Sequence, residues 1–124
     1  MTADPVGSET DFVHALLVRL CDSGRVLVWR QNAGTALLGT RGAIRAGTPG
    51  MSDVLGVTTD GRARLVSYEI KGPDARWKKS QRAWLARVRA LGGVAADYRI
   101  NARLGREGNL AAATRVLLAA LEGS

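Results

Sequence analysis

The sequence DVLGVTTDGRARLVSYEIK, residues 53–71, carries the clearest structural signal in this chain. It holds two runs rich in β-branched and aromatic residues, and the Asp60-Gly61 dipeptide between them is a strong β-hairpin signal. We therefore predict two antiparallel strands, over 53–59 and 64–71, and Gly72-Pro73 ends the second of them.

Helices and further strands are predicted on both sides of this hairpin. A helix over 9–22 begins after Ser8, a typical N-cap, and ends at Ser23-Gly24. A second helix, over 80–91, is predicted with Ser80 as its cap. The other predicted elements are strands over 26–31 and 94–100, a glycine-rich loop over 32–50 with a short extended piece at 43–45, and a final helix over 109–121. The order α-β-β-β-α-β-α predicts an α/β domain with one central mixed β-sheet flanked by helices.

Composition limits the classes of function. The 124 residues suit one domain, here 8–124 after a flexible tail over 1–7. One cysteine and one histidine exclude an intramolecular disulfide, a Cys-rich zinc site and the common two-histidine metal sites. Any catalysis must therefore depend mainly on carboxylates, lysine or arginine. Because the sequence shows neither an export signal nor an apolar run of about 20 residues, we expect a cytoplasmic protein.

Positive charge is concentrated in the middle of the chain. Eighteen Lys and Arg against eleven Asp and Glu give +7, and residues 62–89 hold nine bases against Glu69 and Asp74. This excess favours a polyanionic partner such as nucleic acid. The alternative is a basic protein without such a partner, because net charge alone is a weak classifier.

The second hairpin strand ends in Glu69-Ile70-Lys71. Because side chains alternate along a strand, Glu69 and Lys71 share one face and Ile70 points to the other. Asp53, at the start of the partner strand, is as far from Gly61 as Glu69 is. A loop with an odd number of residues, expected as three residues or a bulge over 60–62, puts both carboxylates on one face, whereas a two-residue loop separates them.

Two converging carboxylates repel each other unless a cation lies between them, and all-oxygen ligation favours Mg²⁺ or Mn²⁺. Lys71 beside that ion could orient or deprotonate a water or stabilise charge that develops on phosphorus. These are the components of metal-assisted phosphodiester hydrolysis. Gln81 and Glu9 head the apolar stripes of their helices and could reach the same pocket. The alternatives are a polar residue at a helix start for Gln81 and a first-turn acid favoured by the helix dipole for Glu9.

The ordered set of motifs resembles the VRR-NUC family of the PD-(D/E)XK nuclease superfamily over about residues 9–93. Ser52 departs from the pattern of many members, in which Pro precedes the Asp. The resemblance is carried by Arg30 with Asn32 and Gly34, Gly50-Met51-Ser52-Asp53 with Val54-Leu55-Gly56, Asp60-Gly61-Arg62, Glu69-Ile70-Lys71, Ser80-Gln81 with Trp84-Leu85, and Gly92-Gly93-Val94-Ala95.

This resemblance implies a restriction-endonuclease-like core and a metal-dependent DNA endonuclease. Asp53 and Glu69 would ligate Mg²⁺ or Mn²⁺, with the Ile70 carbonyl and Glu9 as further ligands. Lys71 would be the catalytic lysine, and Gln81 would support it. Small stand-alone members are similar to phage and bacterial enzymes that cut branched DNA, such as Holliday junctions or flaps, in replication, repair and recombination, and the protein could act as a homodimer. The alternatives are a catalytically dormant nucleic-acid-binding module and a nuclease that acts on RNA or as a toxin.

Contacts to DNA are predicted from polar and basic residues around this site. They could hold phosphates or an unpaired base. The alternative is a solvated charge run for the segment before the Gln81 helix and a flexible surface loop for the glycine-rich segment. Trp29 and Trp84 are predicted to be core residues. The predicted nucleic-acid contacts are Arg30, Asn32, Arg41 and Arg45, around the glycine-rich loop, and Arg76, Lys78, Lys79 and Ser80, before or at the start of the Gln81 helix.

Overall fold

A computed structural model describes residues 5–31, 34–37, 43–46 and 50–123, with the backbone alone for 34–37 and 43–46. The predicted α/β class is confirmed. The elements in this part of the chain are α1 (Glu9–Asp22), β1 (Val26–Arg30), β2 (Gly34–Leu37), β3 (Ala43–Ala46), β4 (Val54–Thr58), β5 (Leu65–Lys71), α2 (Lys79–Ala90), β6 (Val94–Arg99), a 3₁₀ turn (Ala102–Leu104) and α3 (Gly105–Glu122).

Four strands form the predicted mixed sheet, in the order β1-β4-β5-β6. The pairs β1–β4 and β4–β5 are antiparallel, whereas β5 and β6 run parallel because α2 crosses over between them. The strand that carries Glu69 and Lys71 is therefore interior to the sheet, with a neighbour on each side.

A second, two-stranded antiparallel sheet is formed by β2 and β3, in which Gly34 pairs with Ala46 and Leu37 with Ala43. The extended piece predicted at 43–45 is confirmed as part of β3, whereas β2 lies where the sequence predicted loop. Each strand has four residues and lies between glycines, so neither shows the run of β-branched and aromatic residues that indicates a strand. Backbone pairing between the two strands, and not their amino-acid composition, stabilises them as strands.

The main core lies between one face of the sheet and the helices α1 and α3. Phe12 and Leu16 of α1, Tyr68 of β5 and Leu117 of α3 are fully buried in it. The Tyr68 hydroxyl donates a hydrogen bond of 2.6 Å to the Ala113 carbonyl, so the polar end of this ring is satisfied inside the core. Val66, Tyr68 and Ile70 all face this side, which leaves Ser67, Glu69 and Lys71 on the other side of β5, as predicted.

Helix α2 covers the opposite face of the sheet, over β5 and β6. Leu85 and Val88 of α2 pack with Ala95 of β6 in a small second core. The part of this face that lies on β1 is open, since Leu27 is 56% and Trp29 41% exposed. The prediction that Trp29 is a core residue was therefore wrong, because none of the described helices covers β1 on that side.

Two helix starts differ from the predictions. Helix α2 begins at Lys79 with Lys78 as its N-cap, not with Ser80, because the Gln81 side chain accepts a hydrogen bond of 2.9 Å from the Lys78 amide. Helix α3 begins at Gly105, not Asn109. Its first turn has no apolar residue to extend the periodic pattern, and the fully buried Asn109 side chain holds it by hydrogen bonds to the backbone of Asn101 and Gly105.

Residues 5–8 precede α1, and Ser8 caps this helix as predicted, because its hydroxyl accepts a hydrogen bond of 3.1 Å from the Asp11 amide. Val6 packs against the main core, and its carbonyl accepts a hydrogen bond of 3.2 Å from Arg106. Flexibility over residues 1–7 stays a prediction.

Candidate active site

The turn between β4 and β5 sets the register that brings the predicted site together. Thr58 and Arg64 close it with a backbone hydrogen bond of 3.0 Å, so the loop has five residues and not the three that we predicted. The Asp60 side chain holds the loop by accepting hydrogen bonds from the Arg62 amide and the Thr58 hydroxyl, and these bonds lower the pKa of Asp60. Gly61, with φ of +88°, supplies a conformation that favours glycine.

Five is an odd number, and the consequence for the two carboxylates is the predicted one. Val54 pairs with Tyr68 and Val57 with Leu65. The same register continued by one residue places Asp53, which directly precedes β4, opposite Glu69. Residues that oppose each other in an antiparallel pair have side chains on the same face. The hairpin therefore brings Asp53 and Glu69 to the same face of the sheet, at the end where β4 begins and β5 finishes.

Glu69 is a buried carboxyl group, with 7% of the residue exposed. Burial raises the pKa of Glu69 to about 7, and the neighbouring charges of Asp53 and Glu9 act in the same direction. The ammonium group of Lys71 and a hydrogen bond with Ser52 oppose the shift without cancelling it. A group that changes its charge near neutral pH, on a sheet edge beside a second carboxylate, is typical of functional sites.

Lys71 and Gln81 form one hydrogen-bonded cluster with Glu69. Lys71 Nζ donates to Gln81 Oε1 at 2.6 Å and to the Arg76 carbonyl at 3.1 Å, and it lies 3.9 Å from Glu69 Oε1. Gln81 Nε2 donates to the same Glu69 oxygen at 3.3 Å. The side-chain amide of Gln81 therefore bridges Glu69 and Lys71, and these three predicted catalytic residues are in mutual contact.

A chain of polar side chains that the sequence did not suggest lies beneath Glu69. Trp84 Nε1 donates to Ser67 Oγ at 2.8 Å, and Ser67 Oγ donates to Ser52 Oγ at 2.8 Å. Because the indole nitrogen is a donor only and the Ser67 proton is already used, the Ser52 hydroxyl is left to donate to Glu69. Ser67 shares a strand face with Glu69, which was the only available signal in the sequence, and the core prediction for Trp84 missed its polar role.

Asp53 is the more open of the two carboxylates, with 48% of its side chain exposed. Arg30, at the end of β1, places Nη2 3.9 Å from Asp53 Oδ2, and its Nε is buried without a hydrogen-bond partner among the described residues. Arg30 was predicted as a contact to nucleic acid. The structure places its guanidinium beside Asp53, and its contact to nucleic acid stays a prediction.

Glu9 and Ile70 complete the predicted set of metal ligands. Glu9 is exposed at the start of α1, and its charge is felt at Glu69. Within the part of the chain that the structure describes, no three carboxylate, histidine or cysteine side chains come together as a possible metal site. The pair Asp53 and Glu69 thus offers oxygen ligands without a third acid, and the roles of Glu9 and of the Ile70 carbonyl stay predictions.

The other predicted contacts to nucleic acid differ in their exposure and in whether the structure describes them. Arg76, Lys78 and Lys79 are exposed in and after the turn that leads to α2, and Ser80 is partly buried in the first turn of that helix. Asn32 and Arg41 lie outside the described residues, as does the side chain of Arg45.

Trp77 lies beside the site, with its ring centre 5.1 Å from Lys71 Nζ and 4.7 Å from Arg82 Cζ.

Gly50 fixes the distance between the Asp53 segment and the start of α2. It has φ of +80°, and a Cβ atom at this position would overlap the Ser80 carbonyl and come within 2.8 Å of the Gln81 amide nitrogen. A side chain here must displace the first turn of α2, which carries Gln81. The close approach of two backbones therefore requires glycine at this position.

We expect Gly50→Ala to lower the free energy of unfolding by about 2 kcal/mol or more, since it adds a backbone overlap to the strain of a left-handed φ. Gly24→Ala is the matched control, because Gly24 has φ of +73° but nothing within 4 Å of the added Cβ. Its loss should be about 1 kcal/mol. Urea denaturation of both variants checks this, and equal losses would show that the contact with α2 is unimportant.

Comparison with known proteins yielded no match, either to a protein-family model or, at a significant level, to a curated protein. None of the described helices is long and apolar enough to span a bilayer.

Proposed function

We propose that this protein is a Mg²⁺- or Mn²⁺-dependent DNA endonuclease with a PD-(D/E)XK core of the VRR-NUC type. The observation that carries the proposal is the contact of Gln81 with both Glu69 and Lys71, at the edge where the hairpin register also brings Asp53. Asp53, Glu69, Lys71 and Gln81 thus lie together on one face of the sheet, and this grouping supports metal-assisted phosphodiester hydrolysis. A purely structural ion pair would not need a second, repelling carboxylate beside Glu69.

The donor set fits a hard divalent cation. Two carboxylates on one edge supply oxygen ligands, and Mg²⁺ typically uses one or two carboxylates together with water and substrate phosphate. Asp53 and Glu69 would hold the ion, with the Ile70 carbonyl and Glu9 as further candidates. When bound, it would neutralise charge on the scissile phosphate and activate water.

Lys71 and Gln81 prepare the site for that reaction. Two of the three donors on Lys71 Nζ are directed to the Gln81 side chain and to the Arg76 carbonyl, which fixes the ammonium group in place. A positioned ammonium beside the scissile phosphate stabilises the negative charge that develops there, or holds a water for attack. Gln81 holds the Glu69 and Lys71 side chains next to each other, because its amide hydrogen-bonds to both.

Positive charge around this edge supports DNA as the substrate. Arg30 lies beside Asp53, and Arg76, Lys78 and Lys79 are exposed in and after the segment that connects β5 to α2. Arginine and lysine at such positions fix the register of a phosphate backbone without reading its sequence. This favours recognition of the shape of DNA, and we propose branched DNA, a four-way junction or a flap, as the substrate.

A cleavage panel tests the activity. End-labelled four-way junction, flap, fork, duplex and single strand are incubated with Mg²⁺ or Mn²⁺, and we expect cutting of at least one branched form that EDTA abolishes. Asp53→Ala should lower the rate about 10³-fold, whereas Arg115→Ala, on the opposite side of the sheet, should retain it. Cleavage that survives Asp53→Ala, or cleavage of no DNA at all, would contradict the proposal.

Binding measurements, RNA substrates and a size measurement, added to this panel, separate the alternative functions. Salt-sensitive binding without cleavage would indicate a dormant binding module. Preferential cutting of RNA would indicate an RNA-directed or toxin nuclease. Size measurement with the four-way junction present tests the proposed homodimer, which predicts two chains on one junction.

A further inference from the structure

A small cavity of about 190 Å³ lies on the catalytic face of the sheet, at the end of α2 away from Lys71. Trp84, Val88 and Leu91 on the helix side and Leu65 on the sheet side give it an apolar lining, and Arg64 and Arg87 stand at its edge. Ligand pockets for drug-sized molecules are larger, about 300–1,000 Å³. The size of this cavity suits a single ring system.

The apolar lining is exposed and in part rigid. Leu91 is 75% and Leu65 39% exposed. The Trp84 ring is held by its hydrogen bond of 2.8 Å to Ser67. An exposed apolar patch with a fixed aromatic ring is typical of a binding surface and offers a preorganised platform for stacking.

The arginines give the cavity a preference for anions. Arg87 is exposed and has no ion pair or hydrogen bond from its side chain within the described part of the chain. Arg64 lies 3.7 Å from Asp60 through Nη2, while its Nε is buried and, among the described residues, lacks a partner. None of the described residues that line the cavity is acidic. An apolar cavity with two arginines among its lining residues is complementary to a nucleotide, whose base is apolar on its faces and whose phosphates are anionic.

We propose that this cavity binds one unpaired nucleobase of the substrate strand, with the adjoining phosphates on Arg64 and Arg87. The inference rests on the proposed nuclease function and specifies its substrate. Leu65 and Glu69 lie four residues apart on one strand, or about 13 Å. That distance is about four base steps of B-form DNA and fewer in an extended strand. A base that is paired and stacked in a duplex cannot enter the cavity, so the site selects DNA with a single-stranded segment close to the cleavage point.

Binding without cleavage tests the subsite. Fluorescence anisotropy in EDTA is measured with the full chain and two fluorescein-labelled single strands of equal length, one with bases and one abasic throughout. We expect the wild type to bind the strand with bases about tenfold more tightly, because one base stacks on the Trp84 ring. Leu91→Ser should reduce this ratio to less than threefold, whereas Val18→Ser, at another exposed apolar position, on α1, should keep it.

A second variant tests the arginine at the rim. Arg87→Ala should weaken both strands equally and lower the slope of log K against log salt by about one, whereas Arg115→Ala should change neither. A ratio below twofold in the wild type, the same ratio in Leu91→Ser as in Val18→Ser, or no binding of either strand would overturn the subsite. Base-dependent binding lost in Leu91→Ser, but without cleavage in Mg²⁺, would leave the subsite standing and contradict the nuclease. Cleavage without base dependence would contradict the subsite alone.

Discussion

Replacement of Lys71 by methionine is expected to lower the cleavage rate about 10³-fold, or about 4 kcal/mol in transition-state stabilisation, while DNA binding changes by less than threefold. Methionine retains much of the apolar stem, so packing against Trp77 persists, but the ammonium group that Gln81 and Arg76 hold in place is lost. Single-turnover cleavage and anisotropy in EDTA measure the two quantities separately.

The matched control for Lys71→Met is Arg115→Met, which removes one positive charge from the opposite side of the sheet. It should retain the cleavage rate, and thermal unfolding should show both variants folded. A loss of only tenfold or less in Lys71→Met would mean that the lysine does not act on the reacting phosphate. A parallel loss in DNA binding would assign it to substrate affinity instead.

The second large effect concerns stability and pH, and it arises from the buried Glu69. The pKa of this carboxyl group is about 7 in the folded protein, against 4.5 for an ordinary glutamate. Between these values the folded state binds a proton that the unfolded state has lost, so the free energy of unfolding falls as pH rises. The contribution is fully present below pH 4.5 and is lost above pH 7, a change of about 3 kcal/mol.

Glu69→Gln removes this titration but retains the shape of the side chain and an oxygen for the hydrogen bonds from Gln81 and Ser52. We expect the variant to gain about 3 kcal/mol relative to the wild type between pH 4 and pH 8, measured by urea denaturation in EDTA. Glu107→Gln, an exposed glutamate on α3, is the control and should not show this pH-dependent difference. Equal pH slopes for wild type and Glu69→Gln would show that Glu69 titrates normally.

Metal ions extend this experiment. At pH 8, Mg²⁺ or Mn²⁺ should raise the melting temperature of the wild type, because an ion that binds the folded state stabilises it, and should have a weaker effect on Glu69→Gln. An equal rise in both proteins would place the binding ion elsewhere.

Much of the fold was predictable because it depends on local chemistry. The alternation in 65–71 assigns Ile70 to the core and Glu69 and Lys71 to the other face, and an odd loop around Gly61 then determines the side on which Asp53 lies. Gln81 was predictable too, since helical spacing places it on the stripe of Leu85 and Val88 that packs on the sheet. The β2–β3 pair was not predicted, because these short strands are stabilised by pairing with each other. The starts of α2 and α3 also differ from the predictions, because hydrogen bonds between the backbone and the side chains of Gln81 and Asn109 define them.

Periodicity and turn signals in the sequence predict the four strands of the main sheet, the three helices and the two faces of β5, because these signals act over a few neighbouring residues. How deeply each side chain is buried depends on the tertiary structure. Helix α2 covers β5 and β6 but not β1, so Glu69 is buried and its pKa raised, whereas Trp29 is exposed. The same packing joins Trp84 to Ser67 and leaves the cavity beside Leu65. Burial depends on which distant element lies over a strand, and no local pattern specifies that.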